Sequence, residues 1–337
     1  MISSLAMPSG SAGTDEASPE RVEFDAATLP WLDRVYGEID AYVDALPAAE
    51  RPPYDLREAL IRWMRFGYMF LPGAIEVELI DAYLADLEEV RQTRDRHRVE
   101  VMVEGYGQRP ISELPEEAFA VRHLRYIDFH NSSIAAKKIL LHRQVAGFLR
   151  HVFRAEMVAM QSLTFIHSSE QWTHQDYAYV VSGIPSHLAA SWIALEDVHA
   201  EAGPLAYYPG SHSLRKFDWG PPGRLLYSSE SKFTELDFRD HIERECARVG
   251  LAREVVIPKK GDVFFWHAAL AHAGSTIIDL SRTRRSLVGH YSTLEAYPVD
   301  RRAPDREPTR QLINGGWMYA NPRLPDEEDA FRHGAAL

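Results

Sequence analysis

The sequence predicts a mainly β protein with flanking helices, whose strands form an all-β barrel or jelly roll rather than a parallel sheet. Three observations lead to this prediction. Short runs rich in Val, Ile, Phe, Tyr and Trp follow one another in the second half of the chain. Turns containing Gly and Pro separate these runs. The runs do not alternate regularly with helical patterns, as the strands of a parallel sheet would.

The first part of the domain, residues 26–155, is predicted to be largely helical. Apolar residues recur at helical spacing in four segments, namely residues 29–46, 55–66, 75–96 and 134–153. Asp55 can cap the second segment, with Glu58 three residues later. Residues 99–115 break the helical pattern, so we expect a loop with short strands there.

The jelly-roll core is predicted to span residues 156–296. Its strand-like runs are residues 157–167, 188–196, 205–208, 254–257, 262–267 and 284–292. A long insertion, residues 213–250, separates the third run from the fourth and is partly helical around residues 238–249. Connections of this length are usually functional, so the insertion is a candidate wall of a binding site.

Both ends of the chain are predicted to lie outside this single domain, which we place at residues 26–302. Residues 1–25 are rich in Ser, Gly, Ala and Pro at their start, and we expect a disordered tail. Residues 303–337 contain several prolines and mixed charges. We assign this C-terminal tail only to packing or to covering the site.

Composition excludes several classes of function. The 337 residues carry a formal net charge of -12, which argues against nucleic acid or an anionic membrane as the main partner. The single cysteine, Cys246, excludes an intramolecular disulfide and a cysteine-rich metal site. No apolar run approaches the ~18 residues of a membrane span, and no Lys or Arg precedes Arg21. We therefore expect a soluble cytoplasmic protein.

The first candidate site is the segment 171–177 (QWTHQDY), in which His174 and Asp176 stand two residues apart. On a strand, residues i and i+2 point to the same face, so an imidazole and a carboxylate could reach one point. These are two of the three ligands in a 2-His-1-carboxylate triad, which holds Fe(II) and leaves positions open. Alone, this spacing is weak evidence, because a surface histidine near a turn aspartate is more common.

A second cluster follows almost a hundred residues later. An apolar strand ends at His267, and His272 follows it, so either histidine could supply the third ligand from another strand. Arg284 opens the next strand, and its planar guanidinium suits a dicarboxylate co-substrate. Considered alone, His267 is more readily explained as a packed histidine. Of Arg282, Arg284 and Arg285, at least one should face solvent.

Four stretches in this order resemble the phytanoyl-CoA dioxygenase-like family of Fe(II)/2-oxoglutarate-dependent oxygenases, over roughly residues 66–292. They are residues 66–73 (FGYMFLPG), 172–176 (WTHQD), 194–212 (with ALED, GPL and PGSH) and 261–287 (with GDVFFWH, His272 and RRSL). The fold that this resemblance implies is a double-stranded β-helix, which is a jelly roll with supporting helices. It agrees with the strand pattern described above.

The resemblance implies that His174, Asp176 and His272 are the Fe(II) ligands. It implies that Arg284 binds the far carboxylate of 2-oxoglutarate. Because the interval from His272 is slightly long, Arg282 or Arg285 remains an alternative to Arg284.

Four further residues are assigned by the same resemblance. Gln161 and Trp192 correspond to positions that often contact 2-oxoglutarate. His267 is similar to the family's other histidine, which packs before the ligand, and His212 is interpreted as structural.

The implied activity is hydroxylation of a small organic molecule, with O2 as oxidant and 2-oxoglutarate converted to succinate and CO2. Relatives that halogenate lack the carboxylate at the position of Asp176, so its presence favours hydroxylation or desaturation. Two alternatives stay open: a cupin-like metalloenzyme that does not use 2-oxoglutarate, and a catalytically silent jelly-roll binding protein.

The sequence does not identify the substrate. Candidate specificity segments are residues 99–115, 177–186, the 213–250 insertion and the C-terminal tail. Their aromatic residues suit an apolar or ring-bearing molecule, or belong to the core: Tyr106, Tyr177, Tyr179, Phe217, Trp219 and Tyr227.

Overall fold

The computed structural model describes residues 22–34, 38–97, 99–220, 223–297 and 310–319. Most of the strands in these ranges pair antiparallel, and they form one large and one small sheet. The prediction of a mainly β jelly roll with flanking helices is confirmed.

The large sheet forms the main wall of the molecule. Its principal strands, in spatial order, are β1 (Tyr68–Leu71), β9 (Val263–His267), β6 (Leu188–Ala194), β11 (Ser286–Thr293), β5 (Met157–Phe165), β4 (Leu124–Ile127), β2 (Glu100–Val103) and β3 (Gly107–Pro110). From β1 to β5, neighbours in this order are far apart in the sequence, so the chain folds back repeatedly to build this part of the wall, whereas β4, β2 and β3 come from one segment of the chain. Its central strands β6 and β11 are buried along their whole length.

The small sheet packs against the inner face of the large one. It consists of β10 (His272–Gly274), β7 (Leu205–Tyr207) and β8 (Glu254–Val256), in that spatial order. The ring of Tyr207 lies 4.8 Å from that of Phe264 on β9, so aromatic side chains fill the space between the sheets.

Helices cover the outer face of the large sheet. They are α1 (Trp31–Arg34), α2 (Glu38–Ala45), α3 (Leu56–Phe66), α4 (Val77–Gln92), α5 (Ile134–Leu140) and α6 (Arg143–Phe153). Side chains alternate along a strand, so Phe264 faces the small sheet whereas Phe265 lies 4.9 Å from Phe148 of α6. The helices thus support the sheet from behind and leave its inner face free for a site.

Two local predictions can be compared with the helices. Asp55 caps α3, because its carboxylate accepts a hydrogen bond from the Glu58 amide (3.0 Å). The helix predicted for residues 134–153 is instead two helices. His142 separates them and caps α6, with its Nδ1 accepting from the Gln144 amide at 3.4 Å.

The 213–250 insertion contains helix α7 (Glu235–Arg248), which begins at a Thr234–Asp237 capping box. Its buried Phe238 packs on Tyr177 and on Trp219, with ring centroids 6.4 and 4.9 Å apart. The insertion therefore has a core of its own beside the segment that carries His174 and Asp176.

Described residues beyond both predicted domain ends pack against the domain. Residues 22–25 were assigned to the tail, yet Val22 is buried and the Phe24 ring lies 5.3 Å from that of Tyr177, so apolar packing orders them. In the C-terminal tail, β12 (Arg310–Ile313) and β13 (Gly316–Tyr319) form a hairpin, and β13 pairs parallel with β5. The other tail residues, 1–21, 303–309 and 320–337, lie outside the described residues.

Candidate metal centre and its cavity

Three predicted ligands meet at one point on the inner side of the jelly roll. The backbones of His174 and His272 form an isolated antiparallel bridge, with both N–O distances at 3.0 Å. Asp176 begins a short 3-10 helix, Asp176–Ala178, that turns its carboxylate back toward the two imidazoles. One ligand atom from each of the three residues lies within 4.8 Å of the others, so the set can hold a metal ion.

Backbone carbonyls fix the orientation of both imidazoles. Nδ1 of His174 lies 2.7 Å from the Trp172 carbonyl, and Nδ1 of His272 lies 3.0 Å from the Leu270 carbonyl. A carbonyl only accepts, so each Nδ1 carries the proton and each Nε2 presents a lone pair. This is the arrangement that neutral histidine ligands require.

The carboxylate of Asp176 is held by its other oxygen. Its Oδ2 accepts a hydrogen bond from the indole Nε1 of Trp266 (2.7 Å) and lies 3.3 Å from Nε2 of His290. Its Oδ1 lies 3.7 Å from Nε2 of His174 and 3.6 Å from Nε2 of His272. These last separations are too long for hydrogen bonds, so Oδ1 keeps its lone pairs available.

Electrostatics favour the protonation states that a metal needs. Burial alone would raise the pKa of Asp176, but the imidazoles of His272, His290 and His174 together lower it. Burial, assisted by His272, lowers the pKa of His174 to about 4. At neutral pH the site therefore combines a carboxylate with an uncharged imidazole at His174.

A cavity of about 560 Å³ opens beside the three residues. Arg284, Trp192 and Gln161 line it, and their contact with a co-substrate stays a prediction. Of the six aromatic residues named as specificity candidates, Tyr179 is the one that lines this cavity. Tyr177 and Trp219 are fully buried core residues.

Arg284 is a buried cation whose charge has no protein partner among the described residues. Its Nη1 donates to the Gly203 carbonyl (3.1 Å), while its Nε is buried without a hydrogen-bond partner. The guanidinium lies 5.5 Å from the ring centre of Trp192, whose Nε1 is also buried without a partner in the described part of the chain. Burial lowers the pKa of Arg284 to about 10, so it remains charged at neutral pH.

The alternative arginines face away from the cavity. The Arg282 side chain is 40% exposed and pairs with Asp279 (2.9 Å), and the Arg285 side chain is 44% exposed near Glu196 (3.8 Å). Their charges are thus compensated at the surface, unlike that of Arg284.

His267 and His212 lie away from the three converging residues. His267 has its Nε2 3.3 Å from Asp33 Oδ2, and its Nδ1 accepts from the Ala269 amide (3.0 Å). His212 has its Nε2 3.2 Å from the Met64 carbonyl, and its ring packs against Gly67. Glycine is required at position 67 for two reasons. Its φ of +75° is unfavourable for other residues, and a Cβ atom there would collide with the His212 ring.

Sequence reasoning missed Trp266, His290 and Arg125, all of which line the cavity. His290 could have been predicted from strand alternation. It lies six residues after Arg284, and an even spacing along a strand places both side chains on the same face. Gln161 then connects to the same group, with its Nε2 3.2 Å from Nδ1 of His290.

Fold and site together define a class: jelly-roll proteins in which two imidazoles and one carboxylate converge on a cavity that also holds a buried arginine. The chain belongs to the phytanoyl-CoA dioxygenase (PhyH) family, whose model matches residues 63–285. This is a family of Fe(II)/2-oxoglutarate-dependent enzymes. The family assignment made from the sequence is confirmed.

Solved structures with a similar fold include SnoN, SnoK and EctD. The epimerase SnoN from nogalamycin biosynthesis is 19% identical, covers 80% of this chain and 97% of its own, and has a TM-score of 0.54. The carbocyclase SnoK of the same biosynthesis is 19% identical, with coverages of 74% and 85% and a TM-score of 0.53. EctD from S. alaskensis with bound Fe is 16% identical, with coverages of 83% and 89% and a TM-score of 0.55.

A search of curated protein sequences gives no significant match. Within the described residues, none of the helices combines the length and the apolar character needed to cross a membrane.

Proposed function

We propose that this protein is a non-haem Fe(II)/2-oxoglutarate-dependent dioxygenase that hydroxylates a small organic molecule. The observation that carries the proposal is that His174, Asp176 and His272 converge in the same cavity as the buried, uncompensated Arg284. A metal site and a carboxylate site in one cavity are what a chelating dicarboxylate co-substrate requires. Support also comes from family membership.

The donor set fits Fe(II). Two imidazole Nε2 atoms and one carboxylate oxygen form the set that non-haem iron enzymes use, and the other polar atoms of these side chains are already engaged. His174, Asp176 and His272 would hold the iron. When bound, iron and 2-oxoglutarate supply the oxidising chemistry, in which O2 oxidises the substrate while 2-oxoglutarate yields succinate and CO2.

The far end of the cavity fits the second carboxylate of 2-oxoglutarate. Arg284 Nε and Trp192 Nε1 are buried donors without partners in the described part of the chain, and an anion would satisfy both. Arg284 would fix the length and orientation of the co-substrate. Leu205 and Val288 line the same cavity and give it apolar surface.

Among possible reactions, hydroxylation is supported by Asp176, which occupies a ligand position that halogenating relatives leave to a halide. The similar structures have other outcomes as well, since SnoN is described as an epimerase and SnoK as a carbocyclase. SnoN has been solved with Fe3+, alpha ketoglutarate and nogalamycin RO, and EctD with 2-oxoglutarate and 5-hydroxyectoine. A small-molecule substrate is therefore part of the proposal.

Anaerobic titration tests the metal and the co-substrate together. Adding Fe(II) and then 2-oxoglutarate to the full-length protein should produce the weak visible charge-transfer band of the chelate. Iron binding without this band would favour the cupin-like metalloenzyme that does not use 2-oxoglutarate. Absence of iron binding would favour a silent binding protein.

Isotope labelling tests the reaction type once a substrate is in hand. Incubation under 18O2 should place one labelled oxygen in succinate and the other in the product. An unlabelled product, as desaturation or ring formation would give, would contradict hydroxylation and leave the iron site standing. A chlorinated product formed in the presence of chloride would contradict the argument from Asp176.

A further inference from the structure

The two arginines that line the cavity lie at the same end of it. Arg125 of β4 pairs with Phe165 of β5. The next residue of the chain, Ile166, accepts a hydrogen bond from the Arg284 amide (2.9 Å), so both cations flank one end of β5. This is the end assigned above to the second carboxylate of 2-oxoglutarate. Neither arginine is therefore left for another molecule.

Glu170 belongs to this end as well. Its Oε2 lies 3.2 Å from Nε2 of His123, the residue that precedes β4. With iron and 2-oxoglutarate in place, the positive charges of the metal and both arginines balance the negative charges of Asp176, Glu170 and the co-substrate. Apart from the histidines, one more charged side chain lines the cavity, namely Glu235. Its carboxylate is the charge that this balance leaves over.

Glu235 has no cationic partner among the described residues. It begins helix α7, and the next arginine along that helix, Arg239, forms its ion pair with Asp240 instead (2.6 Å). Glu235 does accept a hydrogen bond from the Tyr179 hydroxyl. Burial, together with this carboxylate, raises the pKa of Tyr179. Because a carboxylate can accept from several donors, one hydroxyl leaves most of its accepting capacity unused.

Helix α7 also brings Glu235 close to a second aromatic ring. Residues four positions apart lie on one side of a helix, so Glu235 and Arg239 face the same segment. The Arg239 guanidinium lies 5.4 Å from the ring centre of Trp172. Trp172 and Tyr179 both line the cavity and are 54% and 36% exposed, which leaves ring surface for a ligand. Carboxylate and rings thus lie together at the mouth of the cavity, where the Tyr179 ring is 6.0 Å from that of His174.

We propose that the mouth of the cavity binds a protonated amine of the substrate, which donates to the Glu235 carboxylate and packs against the rings of Trp172 and Tyr179. This inference rests on the proposed function, because it assigns the space that 2-oxoglutarate leaves. An ammonium group suits the site because it is attracted both by a carboxylate and by the faces of aromatic rings. The formal net charge of -12 also attracts cationic molecules to the protein. Glu235 is then a specificity-determining residue.

A matched pair of fluorescent probes tests this proposal on the full-length protein. Dansylcadaverine carries an alkyl chain that ends in an ammonium group, and N-hexyldansylamide ends in a methyl group at the same position. Titrations are made with Zn(II) and 2-oxoglutarate present, so that the metal ligands and both arginines are occupied without turnover. Wild type should bind dansylcadaverine more tightly by about tenfold, although the neutral probe is the more apolar one.

Variants locate the origin of that preference. Glu235→Gln should abolish it by weakening dansylcadaverine alone, and Glu235→Asp should keep part of it through the retained charge. Trp172→Leu should reduce it, because one ring face is lost. The matched control is Glu230→Gln, which removes a charge of the same insertion that is 75% exposed and pairs with Arg224 (2.7 Å). This control should bind both probes like wild type, and an unchanged Tm shows that each variant folds.

Several outcomes would overturn the proposal. Equal binding of the two probes by wild type would do so without any variant, and binding of neither would contradict the role of the rings. A preference that survives in Glu235→Gln would place the recognition elsewhere. Loss of the 2-oxoglutarate charge-transfer band in Glu235→Gln would assign Glu235 to the metal centre instead. Failure of the proposed function itself is a separate result, namely absence of that band in wild type while the probe preference is intact.

Discussion

Two clusters of histidine and aspartate lie on opposite faces of strand β9. The metal-site cluster is His174, Asp176 and His272, and the N-terminal cluster is Asp33, His212 and His267. Adjacent residues of β9 contact one cluster each: Trp266 donates to Asp176, and His267 lies beside Asp33. Residue types are the same in both, yet only the first opens onto the cavity.

The difference lies in which lone pairs are left over. In the metal-site cluster, the protein engages Nδ1 of both histidines and Oδ2 of Asp176, and it leaves Nε2 and Oδ1 facing one another. In the N-terminal cluster, His267 uses both nitrogens on Asp33 and the Ala269 amide. A candidate ligand set is therefore marked by unused lone pairs that point at a common space, and not by residue composition alone.

The largest expected effect separates the two clusters directly. His272→Ala should reduce Fe(II) binding below detection in equilibrium titration, because it removes one of three ligands. The matched variant His267→Ala should keep Fe(II) binding and lose thermal stability, because Asp33 and the Ala269 amide lose their partner. If His267→Ala abolishes Fe(II) binding and His272→Ala retains it, the roles of the clusters are reversed.

The next largest effect is expected from substitution of Arg284, the fully buried cation of the cavity. Arg284→Gln should weaken 2-oxoglutarate binding by one or more orders of magnitude, since it removes a buried charge-assisted pair worth roughly 2–5 kcal/mol. The readout is the charge-transfer band titrated with 2-oxoglutarate. The control Arg285→Gln alters a neighbouring arginine that is 44% exposed and should titrate like wild type. The reverse pattern would show that Arg285, and not Arg284, binds 2-oxoglutarate.

A smaller effect is expected from the support of Asp176. Trp266→Phe keeps the aromatic volume but removes the indole donor to Oδ2, so Fe(II) affinity should fall by about 10–100-fold. Trp219→Phe is the control, because Trp219 is fully buried and its Nε1 has no hydrogen-bond partner among the described residues to lose. Equal Fe(II) affinities of the two variants would mean that the indole does not position the carboxylate.

The sequence allows the strands and the metal-site cluster to be predicted, because strand-forming runs and turn residues are local signals. The same holds for the cap of α3, because Asp55 and the Glu58 amide are three residues apart. His174 and Asp176 do reach one point, but through a bridge and a 3-10 helix rather than along a regular strand. The spacing of two residues therefore predicted that the two side chains converge, although the backbone between them is not the regular strand that was assumed.

Long-range contacts could not be predicted in this way. The hydrogen bond from Trp266 to Asp176 joins residues that are 90 positions apart in the sequence, so no local pattern predicts it. The packing of Val22 and Phe24 leaves no periodic pattern, because only a few residues are in contact. Neither Arg284 nor Arg125 is distinguishable from exposed arginines until the sheet assigns each to a face.

The smallest effect tests whether the N-terminal cluster is only structural. Asp33→Asn removes the charge that accepts from His267 Nε2, so it should lower the free energy of unfolding by about 1 kcal/mol and Tm by about 2 °C. Although burial would raise the pKa of Asp33, its interactions with His267, His212 and Lys216 lower it below 3.8. Because the folded-state pKa is the lower one, this stabilisation is present above pH 3.8 and is lost as the pH falls further. Melting curves should therefore differ between wild type and Asp33→Asn at neutral pH and converge in acid, with Fe(II) binding at neutral pH unchanged. A loss of Fe(II) binding in Asp33→Asn would mean that the two faces of β9 are coupled and that the N-terminal cluster serves the site as well as the fold.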